Sequence, residues 1–349
     1  MDQCPVEVLH SIFSYACTDD GSTGRALGLT SRYIAAASRP FLYASVALFG
    51  PAQIAAFATL LEGLHASSPS SDTPVLFLYI TDRAQSAMRR PPGQPHDQSR
   101  STFTQMRDTF MPTDAPALGL AFSISRLLLA VAPTLRALAL LLFHRYHTAD
   151  HPLSVPLPHL HELTAHTSLL HTVEHVEIVD GAPMFRTPAG QTTYAALRRL
   201  HLIQNGASTI RQSVPRVVAR IAPRITHLFL ARLGPSFMRQ GGVHGHRRPS
   251  HGAGEEFPAT LQRVIVQTLD TSQYRFIDQD LMAQLKELAA SDVQRRIAVL
   301  EPVKLNVSGV GTILGFSIPD VDFYMKLQSL WEQRLAGGEG VWDVTVVDQ

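Results

Sequence analysis

Sixteen histidines in one chain raise the question of metal chemistry before any other. His171-Thr172-Val173-Glu174-His175 spells H-x-x-E-H, in which two histidines four apart on a helix ligate zinc while the glutamate acts as general base for hydrolysis. That chemistry also needs a long helix and a distant carboxylate ligand, and no such ligand stands out. Val176 to Val179 alternate in a way that suits a strand equally well. A zinc hydrolase using His171, Glu174 and His175 is therefore kept only as an alternative. His244, His246 and His251 fall among glycines, arginines and prolines in a segment, 234–258, that reads as an exposed insertion. Gly309-Val310-Gly311 with Gly315 misses the dinucleotide fingerprint by one residue, and neither a P-loop nor a nucleophile elbow is present. The two cysteines, Cys4 and Cys17, make neither a disulfide framework nor a four-ligand zinc set, which suits a reducing compartment. No catalytic residue, metal or cofactor is expected, and the chain reads as non-catalytic.

The elements that must do the work begin at the N-terminus. Pro5 has no amide to leave unsatisfied at a helix start, and Glu7 suits the positive end of the helix dipole. Val6, Leu9, Ile12, Phe13 and Ala16 then recur at steps of three and four, a wide apolar face on a short helix. Such a face needs a partner, either this protein's own core or another chain.

With Tyr33-Ile34 and Pro40-Phe41 further on, this segment resembles the F-box, a helical module that opens Leu-Pro-x-Glu, continues through Leu and Ile-Phe, and ends near Pro. Pro5, Glu7, Leu9, Ile12 and Phe13 fall on the pattern; Cys4 replaces its Leu and Tyr33 its frequent Trp. The wording from Tyr15 to Gly50 is similar to F-box-like proteins abundant in mushroom-forming fungi. The resemblance implies that Pro5, Leu9, Ile12, Phe13, Tyr33 and Ile34 dock on a Skp-type linker subunit of a cullin-RING ubiquitin ligase. The rest of the chain would then hold a protein substrate. The open alternative is a non-ligase interaction scaffold whose F-box-like helices cap its own core.

Composition is that of an ordinary globular protein. Of 349 residues 45% are hydrophobic, enough for a sizeable core, and 30 basic against 29 acidic side chains give no field to attract nucleic acid or a charged membrane. The start Met1-Asp2-Gln3 lacks the features of a secretory signal, and Arg126, Pro133 and Arg136 interrupt the most apolar stretch, so neither export nor a membrane span is expected. The expected location is cytoplasm or nucleus.

Along the chain, 1–48 reads as the F-box-like module and 49–83 as a connecting helix from Pro51 plus a strand near Val75–Ile80. Residues 84–117, poor in apolar period, read as a flexible loop. Residues 118–349 carry an irregular repeat. Val131-Ala132-Pro133-Thr134-Leu135 through Leu140 matches Ile221-Ala222-Pro223-Arg224-Ile225 through Leu230, and Leu157–Leu163, Leu197–Leu202 and Leu261–Val266 share an L-x-x-L-x-L flavour. Helices are expected at Phe122–Ala132, Val214–Ala222, Ile277–Ala290 and from Phe323 to near Gly337, with strands at Arg296–Leu300 and Val341–Val347. The expected fold is α+β: a short all-helical module followed by an irregular α/β solenoid of leucine-rich-repeat type.

Overall fold

A computed structural model describes residues 4–67, 74–83, 114–142, 153, 155–167, 169, 175–179, 182–186, 194–204, 214–233, 257–270, 279–304 and 321–342. The chain opens with α1 (Val6–Ala16), α2 (Ser22–Gly28) and α3 (Arg32–Ser38), closed by a 3-10 turn at Arg39–Phe41. Pro5 is the residue just before α1, so its missing amide costs nothing. Asp19 shapes the next turn, accepting from the Gly21 and Thr23 amides, both at 2.9 Å, and from the Ser22 and Thr23 hydroxyls. Burial opposes the Asp19 charge, but these donors outweigh it and hold its pKa below the usual value. Ser31 caps α3 by accepting from the Ile34 amide at 3.2 Å. A Cβ at Gly24 would stand 2.8 Å from the Leu42 carbonyl oxygen, so only glycine lets α2 approach the 3-10 turn this closely. Leu9, Phe13, Cys17, Ile34 and Ala37 bury one another in a small separate core.

Eight strands follow in one sheet, and every neighbouring pair is parallel. They are β1 (Ser45–Phe49), β2 (Phe77–Thr81), β3 (Ala137–Leu141), β4 (Glu162–His166), β7 (Arg199–Ile203), β8 (His227–Leu233), β9 (Arg263–Asp270) and β10 (Ile297–Lys304), lying side by side in that order. β5 (His175–Val179) and β6 (Ala182–Arg186) pair antiparallel in a separate two-stranded sheet. Helices α4 (Pro51–Ser67), α5 (Asp114–Val131), α6 (Val214–Ile221), α7 (Gln279–Ser291) and α8 (Val321–Leu335) are interleaved with the strands.

This overturns the expected α+β arrangement of a helical module followed by a solenoid of leucine-rich-repeat type. The fold is α/β, built on one all-parallel sheet. The reason lies in where the backbone bonds run: β1 pairs with β2 from Ser45↔Phe77 to Phe49↔Thr81, and β2 pairs with β3 from Phe77↔Ala137 to Thr81↔Leu141. Strands on either side of residue 118 thus share one ladder. The sheet is also covered by helices on both faces, which is why its strands are near-continuous apolar runs such as Ala137–Leu141, buried throughout.

On one face, Leu48, Leu78, Ile80, Leu138, Leu140, Leu163, Leu200, Leu228 and Val264 pack against Ile54, Phe57 and Leu61 of α4, Ile124, Leu127 and Leu128 of α5, and Val217, Val218 and Ile221 of α6. Each fully buried Leu here stabilises the fold by about 1.5–3 kcal/mol. The repeat seen in the sequence has a physical counterpart: Leu135, Leu160, Leu197, Ile225 and Leu261, each buried and two residues before a strand, enter this same core.

The opposite face is more polar and is covered by α8 and a 3-10 turn at Gly340–Trp342. Tyr324, Leu327, Trp331, Leu335 and Trp342 supply the apolar contact, with the Trp331 ring 6.1 Å from that of Tyr79. Glu162 is the clamp: one carboxylate oxygen accepts from Arg334 Nε and the other from Trp342 Nε1, both at 3.0 Å. His166 adds a second link. Its Nδ1 lies 2.7 Å from the Leu142 carbonyl, which only accepts, so Nδ1 carries the proton and Nε2 accepts from the Tyr324 hydroxyl at 3.0 Å. Among the described residues, no helix is long and apolar enough to cross a membrane.

Candidate functional site

Helix α1 is apolar over more of its circumference than its own core uses. Leu9 and Phe13 point into the small N-terminal core, as does Ile34 of α3. A turn of roughly 100° per residue puts Ile12 well away from Phe13, and Ile12 is 52% exposed. Val8 and Tyr15 stand four before it and three after it, both exposed, so the three form one stripe along the helix. Leu29, 88% exposed just past α2, and Tyr33 at the start of α3 extend the apolar surface of the module. The Tyr33 hydroxyl donates to the Cys4 carbonyl at 2.9 Å, tying the start of α3 to the residue before Pro5.

Single exposed apolar side chains are ordinary; here several are aligned on one small module. Of the six residues singled out in the sequence, Pro5, Ile12 and Tyr33 face solvent while Leu9, Phe13 and Ile34 face inward. The inward three hold the helices in place and the outward three are available to a partner. Val8, Tyr15 and Leu29 belong with the outward set although the sequence reading passed over them. Their signal was present in the 8, 12, 15 spacing, which reads as a second apolar stripe beside the first.

The histidine motif is placed only in part. His175 opens β5, a strand, where H-x-x-E-H needs a helix; His171 and Glu174 lie outside the described residues. So do His244, His246, His251, Gly309 to Gly311 and Gly315. Among the described residues no group of three or more His, Cys, Asp or Glu side chains gathers as a metal site would require.

A second polar gathering lies where the parallel strands end. Asp82 follows β2, His166 and Thr167 close β4, Gln204 follows β7, and Arg232 stands one residue before the end of β8; all are buried. Burial holds His166 neutral, lowering its pKa from the ordinary 6.5 to about 4 against the opposing hydrogen bond to Leu142. His201, one strand over, is lowered to about 3, again mainly by burial. Its ring stacks on Phe229 at 4.5 Å between centroids, and neither ring nitrogen has a hydrogen-bond partner. The sequence reading missed these residues. Asp82, His166, Thr167 and Gln204 lie where an apolar strand run stops, as in Ile80-Thr81-Asp82, Ala165-His166-Thr167 and Ile203-Gln204, whereas His201 and Arg232 interrupt apolar runs, between Leu200 and Leu202 and between Ala231 and Leu233. Compared with family models, with curated proteins and with solved structures, the chain matches none.

Proposed function

We propose that the N-terminal helices dock this protein on a Skp-type linker subunit and that the α/β domain holds a protein substrate. The whole then acts as a substrate-recognition adaptor of a cullin-RING ubiquitin ligase, in cytoplasm or nucleus. The reading rests on the F-box resemblance of Pro5, Glu7, Leu9, Ile12, Phe13, Tyr33 and Ile34. The observation that carries it furthest is the outward stripe Val8, Ile12, Tyr15, apolar side chains kept in water beside a core that does not use them.

The adaptor supplies no chemistry of its own. By holding a target beside the ubiquitin-charged enzyme it makes transfer effectively intramolecular, raising the local concentration of the reactive partner. A near-balanced charge of +1 gives such a protein no general attraction to nucleic acid.

The rival scaffold reading, in which the helices only close the edge of the sheet, is favoured by the bond from the Ser45 hydroxyl of β1 to the Asp19 carbonyl. Co-purification with a Skp-type linker separates the two. The parent chain is expected to bind and Ile12→Asp, verified as folded by circular dichroism, is expected not to. Equal binding by the folded variant would remove Ile12 from the surface, and no binding by the parent would leave the scaffold.

A further inference from the structure

Arg232 is unusual on three counts. Its backbone takes φ = 60°, a left-handed conformation that a side chain with a Cβ rarely adopts, at a register shift where β8 passes β9 between Leu230 and Leu233. Its side chain is only 4% exposed, yet Nε and Nη1 have no hydrogen-bond partner. Among the described residues, no ion pair joins it to a carboxylate. A guanidinium is always charged, and a buried charge without a counter-charge is costly enough that folds rarely retain one for packing alone.

The surroundings fix this side chain in place without satisfying it. Its guanidinium carbon lies 4.7 Å from the ring centre of Phe323 and 5.9 Å from that of Tyr324, and Tyr324 is itself held by its bond to His166. Stacking of this kind uses the flat face of the guanidinium. The N–H donors lie around its edge, in the plane, where a planar or tetrahedral oxyanion would meet them. The position also matters, because in parallel α/β sheets ligands bind outside the carboxyl ends of the strands, and Arg232 stands at that end of β8. Among the described residues, Asp82, His166 and Tyr324 are titratable groups that share this region. His166 is neutral and contributes no counter-charge, and the Asp82 carboxylate would oppose an incoming anion.

We propose that Arg232 anchors a binding site for an oxyanion, a phosphate or carboxylate group carried by a small ligand, at the carboxyl ends of the strands. The strained backbone is what aims the side chain across the end of the sheet, and the ligand's oxyanion is what pairs the unbonded Nε and Nη1 donors. This inference does not rest on the docking reading and survives its failure.

The test uses the full-length chain, titrated with inorganic phosphate and separately with acetate at constant ionic strength, read by calorimetry and by thermal unfolding. The parent is expected to bind at least one of the two saturably and to unfold at a higher temperature in its presence; which one it prefers identifies the group. Arg232→Gln, checked by circular dichroism, is expected to bind at least tenfold more weakly. Asp82→Asn, which removes an opposing charge, is expected to bind several-fold more tightly, a readout that stands if Arg232→Gln does not fold. Absence of saturable binding by the parent, or unchanged affinity in folded Arg232→Gln or in Asp82→Asn, would overturn the assignment.

Discussion

Replacing Glu162 by Gln asks how α8 is held to the sheet. The carboxylate is buried, and its two oxygens each receive one donor, Arg334 Nε and Trp342 Nε1. An amide offers one accepting oxygen and presents N–H groups where the second oxygen was. One donor therefore loses its acceptor and faces another donor. A hydrogen bond to a charged group is worth about 1.5–3 kcal/mol, and a buried donor left unpaired costs about 1–3 kcal/mol. Arg334, a third exposed, recovers part of its loss in water, whereas Trp342 is buried and does not. A net weakening of about 2–4 kcal/mol follows for the attachment of residues 321–342. At about 1.4 kcal/mol per factor of ten, amides of α8 that exchange by detachment should exchange roughly 30- to 1,000-fold faster. Hydrogen exchange resolved by segment measures this, with α4 and α5, which pack in the core on the other face, as internal controls on the same sample. Unchanged exchange in α8, or equal acceleration in α4 and α5, would refute the clamp.

Other perturbations separate the roles of neighbouring residues. Phe13→Ala empties the small N-terminal core and should destabilise those helices by about 3–5 kcal/mol, whereas Ile12→Asp on the outward stripe should leave thermal stability nearly unchanged; equal losses would mean the stripe is not free. His201→Leu, which removes two ring nitrogens that lack partners, should raise the urea midpoint by an amount equivalent to about 1 kcal/mol, and a fall of that size would contradict the accounting. Stability should also drop on acidification. His166 and His201 take up protons near 6.5 when unfolded but only near 4 and 3 when folded, so below about pH 6.5 the unfolded chain binds more protons. The loss approaches roughly 1.4 kcal/mol per pH unit for each histidine as pH falls toward 4. His166→Gln should remove one proton from that slope between pH 6.5 and 4.5, and an identical slope would count against it.

Local elements were legible in the sequence because they depend on local patterns. The 3–4 spacing of Leu9 and Phe13 placed α1, Pro51 opened α4, and the apolar runs at 75–80, 197–202 and 261–266 each contain or overlap a strand. The helix expected at Ile277–Ala290 stands as α7, Gln279–Ser291. What the pattern does not carry is how strands are assembled. An apolar run reads alike in a solenoid coil and in a doubly covered sheet, and only the Ser45↔Phe77 and Phe77↔Ala137 pairings reveal one continuous ladder. The expected strand at Val341–Val347 begins instead with a 3-10 turn at Gly340–Trp342, because the Trp342 indole is drawn to Glu162; the residues after it lie outside the described ones. The expected loop over 84–117 also ends early, since α5 begins at Asp114 and 84–113 lie outside the described residues.

The division of α1 into two apolar stripes was legible only in part. Periodicity marks positions 6, 9, 12, 13 and 16 as one wide face, but it cannot say that Leu9 and Phe13 are used inward and Ile12 is left outward. That choice is made by α3, whose Ile34 fills one side only. Arg232, His166 and His201 were missed for a different reason: they are far apart in sequence and meet only because β4, β7 and β8 are neighbours in the sheet.

The most direct test of the docking surface is hydrogen exchange on the full-length chain with and without a Skp-type linker subunit. Slowed exchange confined to α1 and the stretch from Leu29 to Tyr33, with the sheet unchanged, is the predicted result. No change at α1 with saturating linker, or protection that appears only on the α/β domain, would contradict it.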